Sequence, residues 1–368
     1  MPLPANTLLH TLPALKTSNS MKKILYAYFG KLGIFDEDIP GHSFYQIGLL
    51  DAIRDIEGDC KIDFYSYLPT ANTTLVFPDD ELGKLNISYF KELVDDYDIP
   101  FHEVTNRIIA KGYDAIYLKA RFRNLSTLAK GLFDAQEFED LIRIAASIGI
   151  PVYILDTDLS LPTSFIESDR YPFTIKIPSI DMPGIGRRFA NDCLSINTER
   201  LRKKPKLPSV LYYGNLDFKN YKAGHAKNPI IVDLLNRLDE HSLFNGSQFM
   251  VTHAGKPVPD IKVYKQIPRT NRLSIWHSFA EAAASINISK DLYIERGFLP
   301  ARTYEAAMFG TVTVSYSDKS LHPAMSFTNV EQAIQQLTYL SEISSDDYIS
   351  LYSHQVEQLI NKGNLMNK

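Results

Sequence analysis

The run AQEFEDLIRIAASIGIPVYILDTDLSLP, Ala135–Pro162, carries a helix, its stop and a strand in immediate succession. Its first part has the apolar spacing of a strongly amphipathic helix, and Gly149 stands where a helix closes on a left-handed residue. VYILD then reads as a buried strand that delivers Asp156 and Asp158 to its carboxyl end, before a loop stopped by Pro162. Three readings of the two aspartates stay open on these residues alone. They are a metal-binding pair, a general base with a structural neighbour, or a strand end capped by polar side chains.

Outward from this run the same alternation continues. Upstream, KILYAYF (23–29), KIDFYSYL (61–68) and YDAIYLKARF (113–122) read as strands. SFYQIGLLDAIRDI reads as a helix with Ser43 as N-cap, and YFKELVDDY and FHEVTNRIIAKG read as two more. Residues 69–89 read as loop, with Pro, Asn, Thr and Asp in clusters. Alternating strands and helices predict a parallel, doubly wound sheet. The pattern breaks between about 163 and 207, where RRFANDCLSINTERLRKKPKLP is basic, polar and flanked by proline, as an interdomain segment would be.

Alternation then begins afresh. SVLYYGN (209–215), QFMVTHAG, SINISK and TVTVSYS read as strands. PIIVDLLNRLDEH, RLSIWHSFAEAAA and FLPARTYEAAMFG read as helices, the last closed by Gly310, and the alanine-rich AEAAASI as a helix packed closely under the second sheet. Two helices, roughly 328–341 and 345–362, finish the chain. The expected fold class is α/β, with two Rossmann-like domains facing each other over a cleft. The expected division is a disordered extension over 1–20, an N-terminal acceptor domain over 21–190, a C-terminal donor domain over 191–345, and a last helix over 346–368 packing back on the N-terminal domain.

Composition bounds the function. With 368 residues and 45% hydrophobic residues, the chain has the size of two cores and the balance of a soluble globular protein. No apolar run has the length of a bilayer span, so no membrane partner is expected. Cys60 and Cys193 are too few and too far apart for a disulfide framework or a zinc site, which fits a reducing cytoplasm. The net charge of −4 argues against a protein that coats nucleic acid, without excluding a local basic groove.

Several stretches carry chemistry. Arg302 and Glu305 lie three apart on the first turns of one helix and share a face. A guanidinium there can grip a diphosphate, aided by the helix N-terminus, and a carboxylate one turn on can accept from ribose hydroxyls. A solvated ion pair fits the same spacing. YYGNLDFKNYKAGHAKNP offers Gly214, Asn215, Lys219, Lys222, Gly224 and Lys227: small residues for close backbone approach and lysines for phosphate charge. A solvated basic loop fits it equally, and it is neither a Walker A nor a GxGxxG motif. KARFRN sets Lys119, Arg121 and Arg123 around Phe122, suited to phosphate contacts beside an extruded base, or to a solvated strand end. Trp276 has the helical spacing of a core residue. His225 and His253 lie near the donor loops, where a plain surface histidine is the simpler reading.

With these pieces in order the chain resembles the DNA β-glucosyltransferases of T-even bacteriophages. The match is carried by GYDAIYLKARF with FDAQEFEDLI, by YILDTDLSLP, by VLYYGN with IVDLL, and by QIPR with ARTYEAAMFGTVTVSY, from Met21 to about residue 340. The resemblance implies the GT-B type glycosyltransferase architecture for the two Rossmann-like domains, a UDP-sugar donor, no obligatory metal, with Mg or Mn compatible as an aid to UDP release, and inverting transfer. The acceptor it implies is 5-hydroxymethylcytosine in double-stranded DNA, flipped from the helix. It maps the catalytic base onto Asp158, the ribose and diphosphate helix onto Arg302 and Glu305, and the uracil-contacting backbone onto Ile267. The family's two phosphate-binding arginines fall on Lys222 and Lys227, which keep charge and lose the bidentate fork; the glycine after the second strand has no clean counterpart, THAGK offering Gly255 nearby. These departures leave the sugar open between glucose and a pentose such as arabinose. The setting implied is the cytoplasm of an infected bacterium, where the modified DNA escapes restriction. Two other readings stand beside it: the same donor chemistry with a carbohydrate or small-molecule acceptor, and an inactive nucleotide-sugar sensor.

Overall fold

The computed structural model of the chain describes residues 21–28, 43–66, 80–97, 99–119, 136–156, 174–178, 185–215, 228–241, 248–252, 272–289, 293–294, 299–318 and 321–364. The first sheet is built from β1 (Lys22–Tyr28), β2 (Cys60–Ser66), β3 (Val94–Tyr97), β4 (Ala115–Lys119), β5 (Val152–Asp156) and β6 (Thr174–Pro178). All pairs are parallel, in the order β3-β2-β1-β4-β5-β6. Its helices are α1 (Ser43–Glu57), α2 (Glu81–Leu93), α3 (Phe101–Ile109) and α4 (Gln136–Ile148).

Side chains along β1 divide the layers by the two-residue period of a strand. Ile24, Tyr26 and Tyr28 join the core that holds residues of α1 and α2. Leu25 and Ala27 face a separate core with residues of α3 and α4. Burial on both faces explains why these strands read as continuous apolar runs. Gly149 closes α4 at φ 78°, in the left-handed region that glycine enters without penalty.

A helix then links the halves: α5 (Arg187–Lys203). The second sheet follows with β7 (Leu207–Asn215), β8 (Gln248–Thr252), β9 (Ala282–Asn287), β10 (Val312–Tyr316) and β11 (Ser326–Phe327), parallel in the order β11-β10-β9-β7-β8. Its helices are α6 (Asn228–Glu240), α7 (Arg272–Glu281), α8 (Ala301–Met308), α9 (Val330–Glu342) and α10 (Ser345–Asn364). The core on the α1/α2 side of the first sheet runs on through Phe189, Ala190, Cys193 and Leu201 of α5 into the second half. The halves therefore share buried apolar surface. Helix α1 also touches α8 directly, and α10 packs on α5, α8 and β10. Two parallel sheets of this order in one chain make an α/β fold of paired Rossmann-type units.

Four expectations need correction. Residues 80–88 are not loop: Asp80 caps α2 by accepting the Gly83 N–H at 2.9 Å. Val94–Tyr97 is not the end of that helix but an edge strand, its charges taken up by long-range ion pairs. Asp96 accepts from Arg107 at 2.7 Å and Asp95 from Lys23 at 3.4 Å. The alanine-rich run is strand, not helix, and every residue of β9 is buried between β7 and β10. Small side chains there let flanking helices approach the sheet. The basic stretch after 186 is ordered helix, burying a stripe at Phe189, Cys193, Asn197 and Leu201.

Lys206 locks the base of the second sheet. Its Nζ donates to the carbonyls of Phe279 (3.0 Å), Ala280 (2.7 Å) and Phe309 (3.0 Å), tying the C-terminal ends of α7 and α8 to the entry of β7. Burial pulls the lysine pKa well below its ordinary value and nearby Arg200 adds to the shift. The oxygen cage, which takes three N–H donors, works in the opposite sense.

Candidate functional site

In a doubly wound sheet the ligand crevice lies at the carboxyl ends of the strands where the order reverses. In the second sheet that point falls between β7 and β9, since the chain runs from β7 out to β8 and returns to β9 on the other side. Gly214 and Asn215 are the last two residues of β7, in register with Val251 and Thr252 of β8. Asn287 ends β9. Helix α8 runs back between β9 and β10, so its amino end opens on this same edge.

Both residues singled out on α8 are brought there. Arg302, half-buried in the first turn, lies near the hydroxyl of Tyr212 in the middle of β7. Burial raises the Tyr212 pKa, and the guanidinium pulls it back. Glu305, one turn further, is 1% exposed. A solvated surface pair does not describe a carboxylate so enclosed. A buried carboxylate beside an anchored guanidinium, at a helix N-terminus without a side-chain cap, can receive a diphosphate and the hydroxyls of a sugar ring.

Asn287 is part of this edge and was read only as strand. Its Oδ1 accepts from Ser289 Oγ at 3.1 Å, and its buried Nδ2 has no hydrogen-bond partner among the described residues. Ser315 is its register partner on β10, and its buried Oγ is likewise without one. The one visible signal was an Asn and a Ser two apart at the end of an apolar strand, the same pattern that drew attention to Asp156 and Asp158.

In the first sheet the order reverses between β1 and β4. Tyr28 ends β1 and stands in register with Ser66 of β2 and Lys119 of β4. The Lys119 Nζ lies 5.3 Å from the centroid of the Tyr28 ring, a cation–π contact that holds the ammonium at the strand ends. Gln46, fully buried in the first turns of α1, accepts from Tyr26 at 2.6 Å, and its Nε2 has no partner among the described residues. Asp156 closes β5, in register with Pro178. Trp276 is core, 1% exposed and stacked on Phe309 at 5.8 Å.

The remaining expected site residues, Asp158, Lys222, Lys227, Ile267, Arg121 and Arg123, lie outside the described residues, as do Lys219, Gly224, His225, His253 and Gly255. Among the described residues no cluster of three or more metal-ligating side chains occurs, and no helix is long and apolar enough to cross a membrane.

No protein-family profile and no curated protein sequence matches the chain. Among solved structures it is similar to a protein assigned as a UDP-N-acetylglucosamine 2-epimerase from Listeria monocytogenes, at 10% identity over 95% of this chain and 94% of that one, with a TM-score of 0.44. A UDP-N-acetylglucosamine 2-epimerase from Rickettsia bellii aligns at 11% identity over 93% and 96%, with a TM-score of 0.39. CalG4, the calicheamicin glycosyltransferase, aligns at 10% identity over 95% and 97%, with a TM-score of 0.33.

Proposed function

We propose that the chain is an inverting glycosyltransferase that moves a sugar, glucose or a pentose such as arabinose, from a UDP-sugar to the hydroxymethyl group of 5-hydroxymethylcytosine in duplex DNA. The observation that carries the donor half of this reading is the Arg302–Tyr212 contact with buried Glu305 one turn away, on the switch-point edge of the second sheet. Arg302 grips the diphosphate and Glu305 accepts from the ribose hydroxyls. Gly214, Asn215, Lys222 and Lys227 line the phosphate side, and Ile267 meets the uracil through its backbone.

The acceptor half rests on the sequence resemblance, supported by Lys119 at the switch point of the first sheet. Lys119, Arg121 and Arg123 hold DNA phosphates beside the extruded base. Asp158, beyond the strand that ends in Asp156, takes the hydroxymethyl proton as that oxygen attacks the anomeric carbon and UDP departs from the opposite face. No metal is required in this scheme; Mg or Mn can assist release of UDP.

The test is UDP release from a panel of UDP-sugars, with and without hydroxymethylcytosine duplex DNA, with modified nucleosides weighed by mass spectrometry. DNA-dependent release with a hexose or pentose mass added is the expected result. UDP release that ignores DNA moves the acceptor to a carbohydrate or small molecule, the reading that the acidic net charge favours. Asp158→Asn is expected to end turnover and keep UDP binding; loss of both removes its role as base.

A further inference from the structure

The connection from β10 to β11 meets the last helix, α10, through two histidines. His322 and His354 are both half-buried, with ring centroids 4.8 Å apart and planes at 78°. His322 caps the one-turn 3-10 helix Pro323–Met325: its Nδ1 accepts the Ala324 N–H at 3.2 Å. A neutral ring that accepts at Nδ1 carries its hydrogen on Nε2. That tautomer has no lone pair left for a metal ion. A second proton can go only to Nδ1, where it faces another donor.

The connection is held on both sides of this cap. It starts at Ser317, whose φ of 53° is a left-handed conformation unfavourable for serine, with its N–H on Phe327 O at 2.7 Å. Gln336 of α9 donates to Ala324 O and Ser326 O at 2.8 Å each. Across the seam, Gln355, next to His354, holds both the N–H and the carbonyl of Thr313 at 2.8 Å. Helix α10 thus stands in for a strand beside β10, where β11 pairs only with Ser315 and Tyr316. Of the charged groups on these elements, Asp318 after β10 is buried and Glu357, one turn along α10 from His354, is exposed. Helix α9 meets the turn through the uncharged Gln336, and Lys319 lies outside the described residues. Burial lowers the His322 pKa, and the charge of His354 lowers it further.

We propose that His322 and His354 form a proton-operated latch between α10 and the β10–β11 connection, closed with both rings neutral and opened by their protonation. Opening gives up the Ala324 cap and sets two positive rings against each other. It frees the turn at the border of the strand-end edge that carries Asn287 and Ser315. The fold favours neutral His322. Its contribution to stability is therefore present above about pH 6.5 and is lost as pH falls through the lowered folded value.

The test is amide hydrogen exchange and histidine-ring NMR of the full chain between about pH 8 and about pH 5. Protection of the Ala324 amide, corrected for its intrinsic exchange rate, is expected to fall ~5-fold or more on acidification of the wild type. His322→Asn keeps an acceptor for that amide and cannot titrate, so its protection is expected to stay level. His354→Phe keeps the ring contact and removes the charge, and is expected to raise the pH at which His322 titrates. The latch is overturned by wild-type protection that ignores pH, by an equal fall in His322→Asn, or by a His322 titration unmoved in His354→Phe. If His322→Asn does not fold, the wild-type exchange profile and the His354→Phe titration decide by the same outcomes.

Discussion

Asp51 Oδ2 accepts the backbone N–H of Phe189 at 2.9 Å, joining the middle of α1 to the first turn of α5 across 138 positions of chain. Asp55, one turn along α1, accepts the Arg187 N–H at 2.8 Å. The amino end of α5, whose N-cap residue Gly186 has no side chain to offer, is thus capped by two carboxylates from the first half. The helix that joins the halves is set by groups that both of them need in place.

Gly186 is the tightest point of that junction. Its N–H donates to Gly48 O at 2.8 Å, and a Cβ built on it would stand 2.3 Å from Asp51 Oδ2 and 2.6 Å from the Asp51 backbone carbon. Gly186→Ala is expected to cost about 3 kcal/mol or more, lowering Tm by roughly 4 °C or more in a chain of this length. Gly149→Ala, with positive φ and nothing within 4 Å of the added carbon, is expected to cost only about 1 kcal/mol. Equal losses in the two variants by thermal unfolding would remove the steric argument.

Burial pushes the Asp51 pKa up to about 6; the Phe189 N–H and Arg54 oppose the shift and Asp55 adds to it. The folded chain therefore holds a proton there that the unfolded chain has lost. This contribution to stability is full below about pH 4 and is lost as pH rises to about 6, amounting to ~3 kcal/mol. Asp51→Asn cannot titrate. Its stability relative to the wild type is expected to improve by ~3 kcal/mol between pH 4 and pH 7, measured by urea unfolding across that range. A difference that stays flat would mean that Asp51 ionises in the fold without penalty.

Lys206→Met keeps the length of the side chain and removes the donors that three carbonyls share. Phe279 O keeps the Thr311 hydroxyl, while the Ala280 and Phe309 carbonyls lose this donor, and the change is expected to cost about 3 kcal/mol. Lys204→Met, two residues away and exposed, is expected to stay within about 0.5 kcal/mol. A Lys206→Met urea midpoint equal to that of the wild type would mean that water can replace the ammonium.

Which features were legible from the sequence follows from the range of the forces involved. The strands of the first sheet stood out because both of their faces are buried, and Gly149 and Gly310 because positive φ selects glycine locally. VDDY hid as helix because its aspartates answer to Arg107 and Lys23, distant in sequence. AAASIN hid because alanine favours helices, and only the neighbours β7 and β10 make it a strand. Helix α5 hid because Asn197 sits in its buried stripe. That amide donates to Met308 O at 2.8 Å and Tyr352 Oη at 3.1 Å, partners supplied by the second half. At the candidate site, Arg302 and Glu305 were visible through their spacing on one helix. Tyr212 and Asn287 were not, because what marks them is the crossing of strands remote in sequence.

Tyr212 makes the donor reading separable from a structural one. Arg302→Met removes the charge and the fork, and is expected to weaken UDP binding ~100-fold. Arg302→Lys keeps the charge and is expected to recover only part of that loss. Tyr212→Phe leaves Arg302 in place without its anchor. It is expected to weaken UDP a few-fold and to destabilise the chain by about 1 kcal/mol. Glu305→Gln exchanges a carboxylate that accepts two hydroxyls for an amide that accepts with one oxygen, and is expected to raise KM for the donor ~10-fold with kcat nearly kept. UDP affinity measured by calorimetry, with the donor KM measured beside it, checks all four. If UDP affinity is unchanged in Arg302→Met while stability falls, Arg302 serves β7 alone and the donor lies elsewhere on the sheet edge.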